Sequence, residues 1–274
     1  MKRCSLFFLL VLMFAATHAG GRVVRLFSIG NSFSEDAVEQ YLYELAAAQG
    51  DSLVIGNAYI GGCYIDKHWD NAQNDRPAYA YRKVVGGRHV STPKQRLSDM
   101  LGDEPWDVVS FQQSSDRSGV YATFSHLPDL IHYVQAHVTA KPTYVFYMTW
   151  AYAADFKDRR FEKFHYSQPY MYASIREAVT HALADNPELT DMVPVGIAIQ
   201  AVREVLGDTL NRDGYHLSYG LGRYTAACTW CEFLTGKPVN ENTWCPPQVD
   251  KVSAAVARWA AHEAMRQSRY LLRR

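Results

Sequence analysis

Val23-Val24-Arg25-Leu26-Phe27-Ser28-Ile29-Gly30 runs directly into Asn31-Ser32-Phe33-Ser34-Glu35-Asp36. The first eight residues are β-branched and aromatic and end in glycine, which predicts a buried strand. Ser34, Glu35 and Asp36 then suit the start of a helix. A serine caps it, the acids match its positive end, and Val38, Leu42 and Leu45 continue an apolar stripe to about Ala48. Ser32 is thereby placed at the tip of a strand, where the chain turns into a helix.

Working outward, Leu53 to Tyr59 reads as a second strand, closed by Gly61-Gly62. Trp106 to Phe111 reads as a third and Thr143 to Thr149 as a fourth, with a short fifth near Met192 to Gly196. Helical patterns lie between them, notably Leu127 to Val138 and Met171 to Leu183. Strands alternating with helices imply a parallel sheet covered on both faces. The ligand site of such a sheet lies beyond the carboxyl ends of the strands, where Ser32, Gly62 and Gln112 are all expected. Tyr79, Tyr81 and Val84, then Gly86-Gly87, then His89-Val90 depart from the alternation and predict a β-hairpin inserted around 78–91. After residue 216 one helix is expected to about Leu234, and another from Val249 onward.

The first nineteen residues have the features of an export leader. Lys2 and Arg3 precede an apolar stretch from Ser5 to Ala16, and Thr17-His18-Ala19 offers a small-x-small cleavage site. The apolar stretch is too short for a bilayer span, and Cys4 stands on the wrong side of it for a lipoprotein box. The expectation is a secreted or periplasmic protein, with residues 20–274 as one domain and no membrane insertion after the leader is removed. The whole chain carries 28 Lys and Arg against 28 Asp and Glu, so nothing in its charge argues for nucleic acid. Cys63, Cys228, Cys231 and Cys245 read as buried thiols, or as one bridge involving Cys245. The Cys228/Cys231 spacing lacks the partners of a metal set, and neither metal nor organic cofactor is expected.

Near the other end stands Asp213-Gly214-Tyr215-His216-Leu217-Ser218, a carboxylate three residues before an imidazole. With Ser32 this supplies the nucleophile, base and orienting acid of acyl-transfer chemistry. The remaining histidines, among them His68, His89 and His126, have no such setting.

These two blocks resemble those of the SGNH (GDSL-like) hydrolase superfamily. Gly30-Asn31-Ser32-Phe33-Ser34 corresponds to its Gly-Asp-Ser or Gly-Asn-Ser block, Asp213 and His216 to its Asp-x-x-His block, and Gly62 to the glycine after its second strand. The resemblance implies a three-layer α/β/α sandwich around a mostly parallel five-stranded sheet of flavodoxin-like type. It implies catalysis by Ser32, His216 and Asp213, with the oxyanion held by the backbone amides of Ser32 and Gly62 and by a third donor. The family's usual Gly-x-Asn-Asp is replaced here by Ser110-Phe111-Gln112-Gln113-Ser114-Ser115-Asp116. Some carbohydrate-acetylesterase branches carry glutamine directly after this strand, which makes Gln112 the substitute, with Gln113 and Ser115 as alternatives.

Aromatics gather at the same strand ends: Tyr59, Tyr64 and Trp69 after the second, Tyr147, Trp150 and Tyr152 around the fourth. Tyr59, Tyr147, Trp150 and Asp116 are the expected substrate contacts, and Arg117 joins Asp116 as a polar specificity group. The expected activity is hydrolysis of acyl esters, above all acetyl, on carbohydrate. The alternatives are a lipid or short-chain acyl esterase, a thioesterase, or a catalytically silent carbohydrate-binding protein.

Overall fold

A computed structural model describes residues 21–271. The expected leader at residues 1–19 lies outside them. β1 (Val23–Gly30) runs beside β2 (Ser52–Tyr59) on one side and β5 (Val108–Phe111) on the other, all parallel. β6 (Thr143–Tyr147) and β7 (Leu189–Val193) extend the parallel set beyond β5. The hairpin of β3 (Tyr79–Val85) and β4 (Arg88–Gln95) adds to the free edge of β2 in antiparallel fashion. The sheet order is therefore β4-β3-β2-β1-β5-β6-β7.

That sheet has seven strands rather than the five expected. The hairpin is an extension of the sheet itself, because β3 pairs along β2 from Val54–Val85 to Tyr59–Ala80. β4 forms the edge, exposed on both faces and carrying Pro93 and Lys94, residues that discourage pairing with another edge.

Helices cover both faces. On one lie α1 (Ser32–Val38), α2 (Leu42–Ala48), α7 (Val195–Leu206), α8 (Leu221–Thr235) and α9 (Lys251–Leu271). On the other lie α3 (Ile65–Gln73), α4 (Leu97–Leu101), α5 (Leu127–His137) and α6 (Gln168–Asp185). α8 is buried almost all round, from Gly222 to Glu232, which accounts for its lack of a one-sided apolar stripe. Cys228 and Cys231 lie in that helix as free buried thiols. Burial pushes the Cys231 thiol up to about 12. No helix among the described residues is long and apolar enough to cross a membrane.

The single helix expected from Ser34 to Ala48 is two helices, broken at Tyr41, whose φ is +67°. A tyrosine in the left-handed region costs on the order of 1 kcal/mol. Its hydroxyl donates to the Tyr219 carbonyl and accepts from Gln248, while its ring meets Tyr224 and Trp244. These contacts hold the break. They let two short helices dock against α8 where one straight helix would have to choose a direction.

Candidate active site

β1 lies where the winding of the sheet reverses, with β2 to one side and β5 to the other, and ligand crevices open at such a point. The turn out of β1 is built by hydrogen bonds from Asn31. Its side-chain oxygen accepts from the Phe33 amide at 2.9 Å and caps α1, while its amide donates to the Cys63 carbonyl at 2.8 Å. Asn31, and not Ser34, is thus the cap. Ser34 turns inward, donating to the Asn31 carbonyl at 2.7 Å and the Asn57 side chain at 2.9 Å. Crowding explains the glycine at position 30: a Cβ there would lie 2.4 Å from Ser34 Oγ and 2.8 Å from Gln112 Oε1.

Ser32 is the first residue of α1, and its Oγ lies 2.8 Å from His216 Nε2. His216 Nδ1 lies 2.7 Å from Asp213 Oδ2. The other Asp213 oxygen accepts the His216 amide at 2.8 Å and the Tyr215 amide at 3.3 Å. The carboxylate therefore folds its own loop and orients the ring at once. Burial pushes the Asp213 carboxyl up, but the hydrogen bonds from the His216 ring and backbone outweigh it and hold the group below its ordinary value.

The loop bearing His216 is tied to the helix bearing Ser32. Asp36, one helical turn after Ser32 and fully buried, accepts the Leu217 amide at 2.8 Å. Arg212 reaches the same carboxylate at 3.0 Å and Arg223 at 2.6 Å. Burial raises the Asp36 carboxyl against the opposing pull of Arg223 and Arg212. Under the loop, the Trp150 indole donates to the Tyr215 carbonyl at 2.7 Å and stacks on Phe33 with centroids 4.1 Å apart.

A cavity of about 480 Å³ opens over Ser32 and His216, a size that suits a small ligand. Gly61, Gly62, Tyr59 and Tyr64 form one side; Ser114, Ser115, Asp116 and Arg117 another; Arg160 and Tyr215 a third. Gly62 has a φ of +63°, and no atom lies within 4 Å of where its Cβ would be. The left-handed backbone, rather than crowding, is what asks for glycine there.

Of the residues singled out from sequence, the structure brings Ser32, His216 and Asp213 together and sets Gly62, Tyr59 and Asp116 around them. Gln112 is elsewhere. It is buried, does not line the cavity, and donates its amide to Asn31 Oδ1 at 2.9 Å. Gln113 is also spent, accepting from the Ile65 and Ser114 amides and donating to Thr123. Tyr147 and Trp150, expected as substrate contacts, are fully buried core residues that support the turn from below, Tyr147 by donating to the Phe33 carbonyl at 3.3 Å.

Four residues escaped the sequence reading. Arg160 lies in a short 3-10 helix, Arg159–Phe164, between β6 and α6, and its neighbours Asp158 and Arg159 were the available signal. Asp36 read only as an acid suited to a helix start, although its spacing from Ser32 places both on one face. Arg212 and Arg223 gave no signal, since their partner is distant in sequence.

A crystal structure of a DUF4886 family protein from Bacteroides uniformis ATCC 8492 matches with a TM-score of 0.87 at 42% identity, covering 89% of this chain and 95% of that one. Looser matches are TesA, with a TM-score of 0.47 at 14% identity over 78% of this chain and 99% of that one. A catalytic mutant of Axe2, an acetylxylan esterase from Geobacillus stearothermophilus, gives 0.45 at 10% identity over 90% and 94%. No curated protein matches the chain. The model of the domain of unknown function DUF4886 matches residues 25–264, nearly the whole described chain, and the protein belongs to that family.

Proposed function

We propose that the chain is a serine hydrolase of carboxylic esters that removes acetyl groups from carbohydrate, exported by the leader at residues 1–19. The observation that carries this reading is the relay from Ser32 through His216 to Asp213, with contacts of 2.8 and 2.7 Å, opening into a cavity. Separations of this kind are those of a nucleophile and base poised for proton transfer.

Ser32 Oγ attacks the ester carbonyl while His216 Nε2 takes its proton, and Asp213 stabilises the imidazolium that forms. The alkoxide collapses to an acyl-enzyme as His216 returns the proton to the departing alcohol. Water, deprotonated by the same imidazole, then releases the acid. The amides of Ser32 and Gly62 hold the oxyanion. Ser115 is the third donor: among the three residues considered from the third block it alone lines the cavity, with its hydroxyl 3.0 Å from Tyr152 OH. Each such donor is worth roughly two to three orders of magnitude in rate. The cavity walls carry tyrosines, serines, arginines and an aspartate, which suit the hydroxyl-rich alcohol of a sugar ester better than a long acyl chain.

The test is Ser32→Ala. Turnover of 4-nitrophenyl acetate should fall by about 10⁴-fold or more. The thermal transition should hold, because among the described residues the Ser32 hydroxyl hydrogen-bonds to His216 alone. Turnover retained in the variant overturns the assignment. A wild-type protein inert to every ester and yet retaining acetylated oligosaccharide would be a binding protein instead.

A further inference from the structure

The cavity has a polarity that the hydrolytic relay does not use. Arg117 and Arg160 both line it, each stacked on a tyrosine that lines it too. The Arg117 guanidinium lies 3.6 Å from the Tyr64 ring centroid, and that of Arg160 lies 4.5 Å from Tyr215. Their charges are treated differently. Arg160 is occupied: its Nε meets Asp158 Oδ1 at 2.8 Å and its Nη2 meets Asp158 Oδ2 at 3.1 Å. Among the described residues the Arg117 guanidinium has one ion contact, 4.0 Å from Nε to Asp116 Oδ2, and that carboxylate is shared with Lys163 at 3.6 Å. Arg117, Arg160 and Lys163 thus share the two carboxylates of Asp116 and Asp158, and Arg117, with the longest of these contacts, carries the surplus charge.

Arg117 is also held in place. Its amide donates to the Ser114 carbonyl at 3.0 Å, and its carbonyl accepts from Val120 at 2.9 Å. The aromatic platform beneath keeps the guanidinium flat against the wall without neutralising it. A pre-placed, partly desolvated guanidinium with an open fork matches a carboxylate in bidentate fashion. Resting on the esterase reading of the same cavity, we propose that Arg117 forms an anion subsite and that the preferred substrate is an ester on an acidic sugar, with the uronate-type carboxylate paired to Arg117. Sugar stacking on Tyr64 is then indirect, since the guanidinium covers the ring face.

The test has a binding arm and a turnover arm, both on the full mature chain at low salt. In calorimetry, tri-galacturonate should bind at least tenfold more tightly than xylotriose. Arg117→Ala should erase that preference and Arg117→Lys should keep part of it, because lysine retains the charge without the fork. In turnover, the ratio of kcat/KM for acetylated oligogalacturonate to that for acetylated xylo-oligosaccharide should fall about tenfold in Arg117→Ala, and 0.5 M salt should compress the wild-type ratio. Equal binding of the two trisaccharides, or a preference that survives Arg117→Ala, overturns the subsite. Tighter binding of a sulfated oligosaccharide than of tri-galacturonate overturns its assignment to carboxylate. Loss of ester turnover with the binding preference intact would sink the esterase reading while leaving the subsite standing.

Discussion

Two loops leave adjacent strands of the same sheet, and both begin with polar side chains. The loop after β1 delivers Ser32 to the cavity, with its hydroxyl meeting one partner, His216. The loop after β5 delivers Gln112 and Gln113 to the interior, where one amide nitrogen serves Asn31 and the other side chain serves Ile65, Ser114 and Thr123. Gln113, tied to Ile65, Ser114 and Thr123, is a brace, and Gln112 supports the turn through its one bond to Asn31. The Ser32 hydroxyl, with one side-chain partner among the described residues and the cavity on its open side, is placed as the proposed nucleophile requires. In this third block the residues that line the cavity come further along, at Ser114, Ser115, Asp116 and Arg117.

The sharpest way to break this contrast is at the working loop. Asp213→Asn should keep the backbone turn, because a side-chain oxygen remains to accept from the His216 amide. It puts an amide beside His216 Nδ1 in place of a carboxylate, so kcat should fall by about three to four orders of magnitude with little change in thermal stability. Because its hydrogen bonds hold Asp213 below the ordinary carboxylate value, the wild-type carboxylate keeps its charge through the ordinary carboxylate range. Activity lost on acidification above that range must come from another group. A kcat within tenfold of wild type would mean that Ser32 and His216 work as a dyad.

Next in size is the tie between the two halves of the relay. Asp36→Asn leaves Arg223 and Arg212 facing a neutral side chain, with Arg223 only 4% exposed. Breaking a buried charge set of this kind costs about 3–5 kcal/mol, read by chemical denaturation. At a temperature where the variant is folded, kcat should also drop, since the Leu217 amide next to His216 loses a charged acceptor. A cost below about 1 kcal/mol would mean the arginines reach solvent and the tie is weak.

The parts legible in sequence were those with local signatures. β1 was bounded to the residue because glycine, aromatics and β-branching coincide there, and Asp213 and His216 sit three residues apart on one self-folded loop. What escaped depends on partners far along the chain. Nothing near Gln112 announces that Asn31, 81 residues earlier, will take its amide. Asp36 and Arg212 are 176 residues apart. The hairpin signature was local and clear, yet its union with the edge of β2 is a tertiary event, and so a five-stranded sheet was expected where seven strands form. Tyr147 ends β6 and Trp150 follows it, at the right end of the strand, but chain position does not say whether an aromatic ring points up into a cavity or down toward Phe33.

The smallest effects on activity are expected at the bracing loop, and they test the contrast from its other side. Gln113→Ala leaves the Ile65 and Ser114 amides without their acceptor, a cost of about 1–3 kcal/mol for each group that stays buried and unpaired. Gln112→Ala removes a single donor from Asn31 Oδ1, which keeps its bond from Phe33, so about 1 kcal/mol of stability is at stake. In neither variant should kcat fall by more than about tenfold, because no hydrogen bond to the developing oxyanion is lost. The Gln112 variant decides the matter, since its amide lies one residue from the nucleophile through Asn31. A drop in kcat of two to three orders of magnitude with an unchanged thermal transition would mean that the Gln112 amide rotates into the cavity when substrate binds, and that the brace and the oxyanion donor are one group. A modest loss of stability with kcat nearly intact leaves Ser115 as the donor and places the division between bracing and working residues inside the third block, between Gln113 and Ser115.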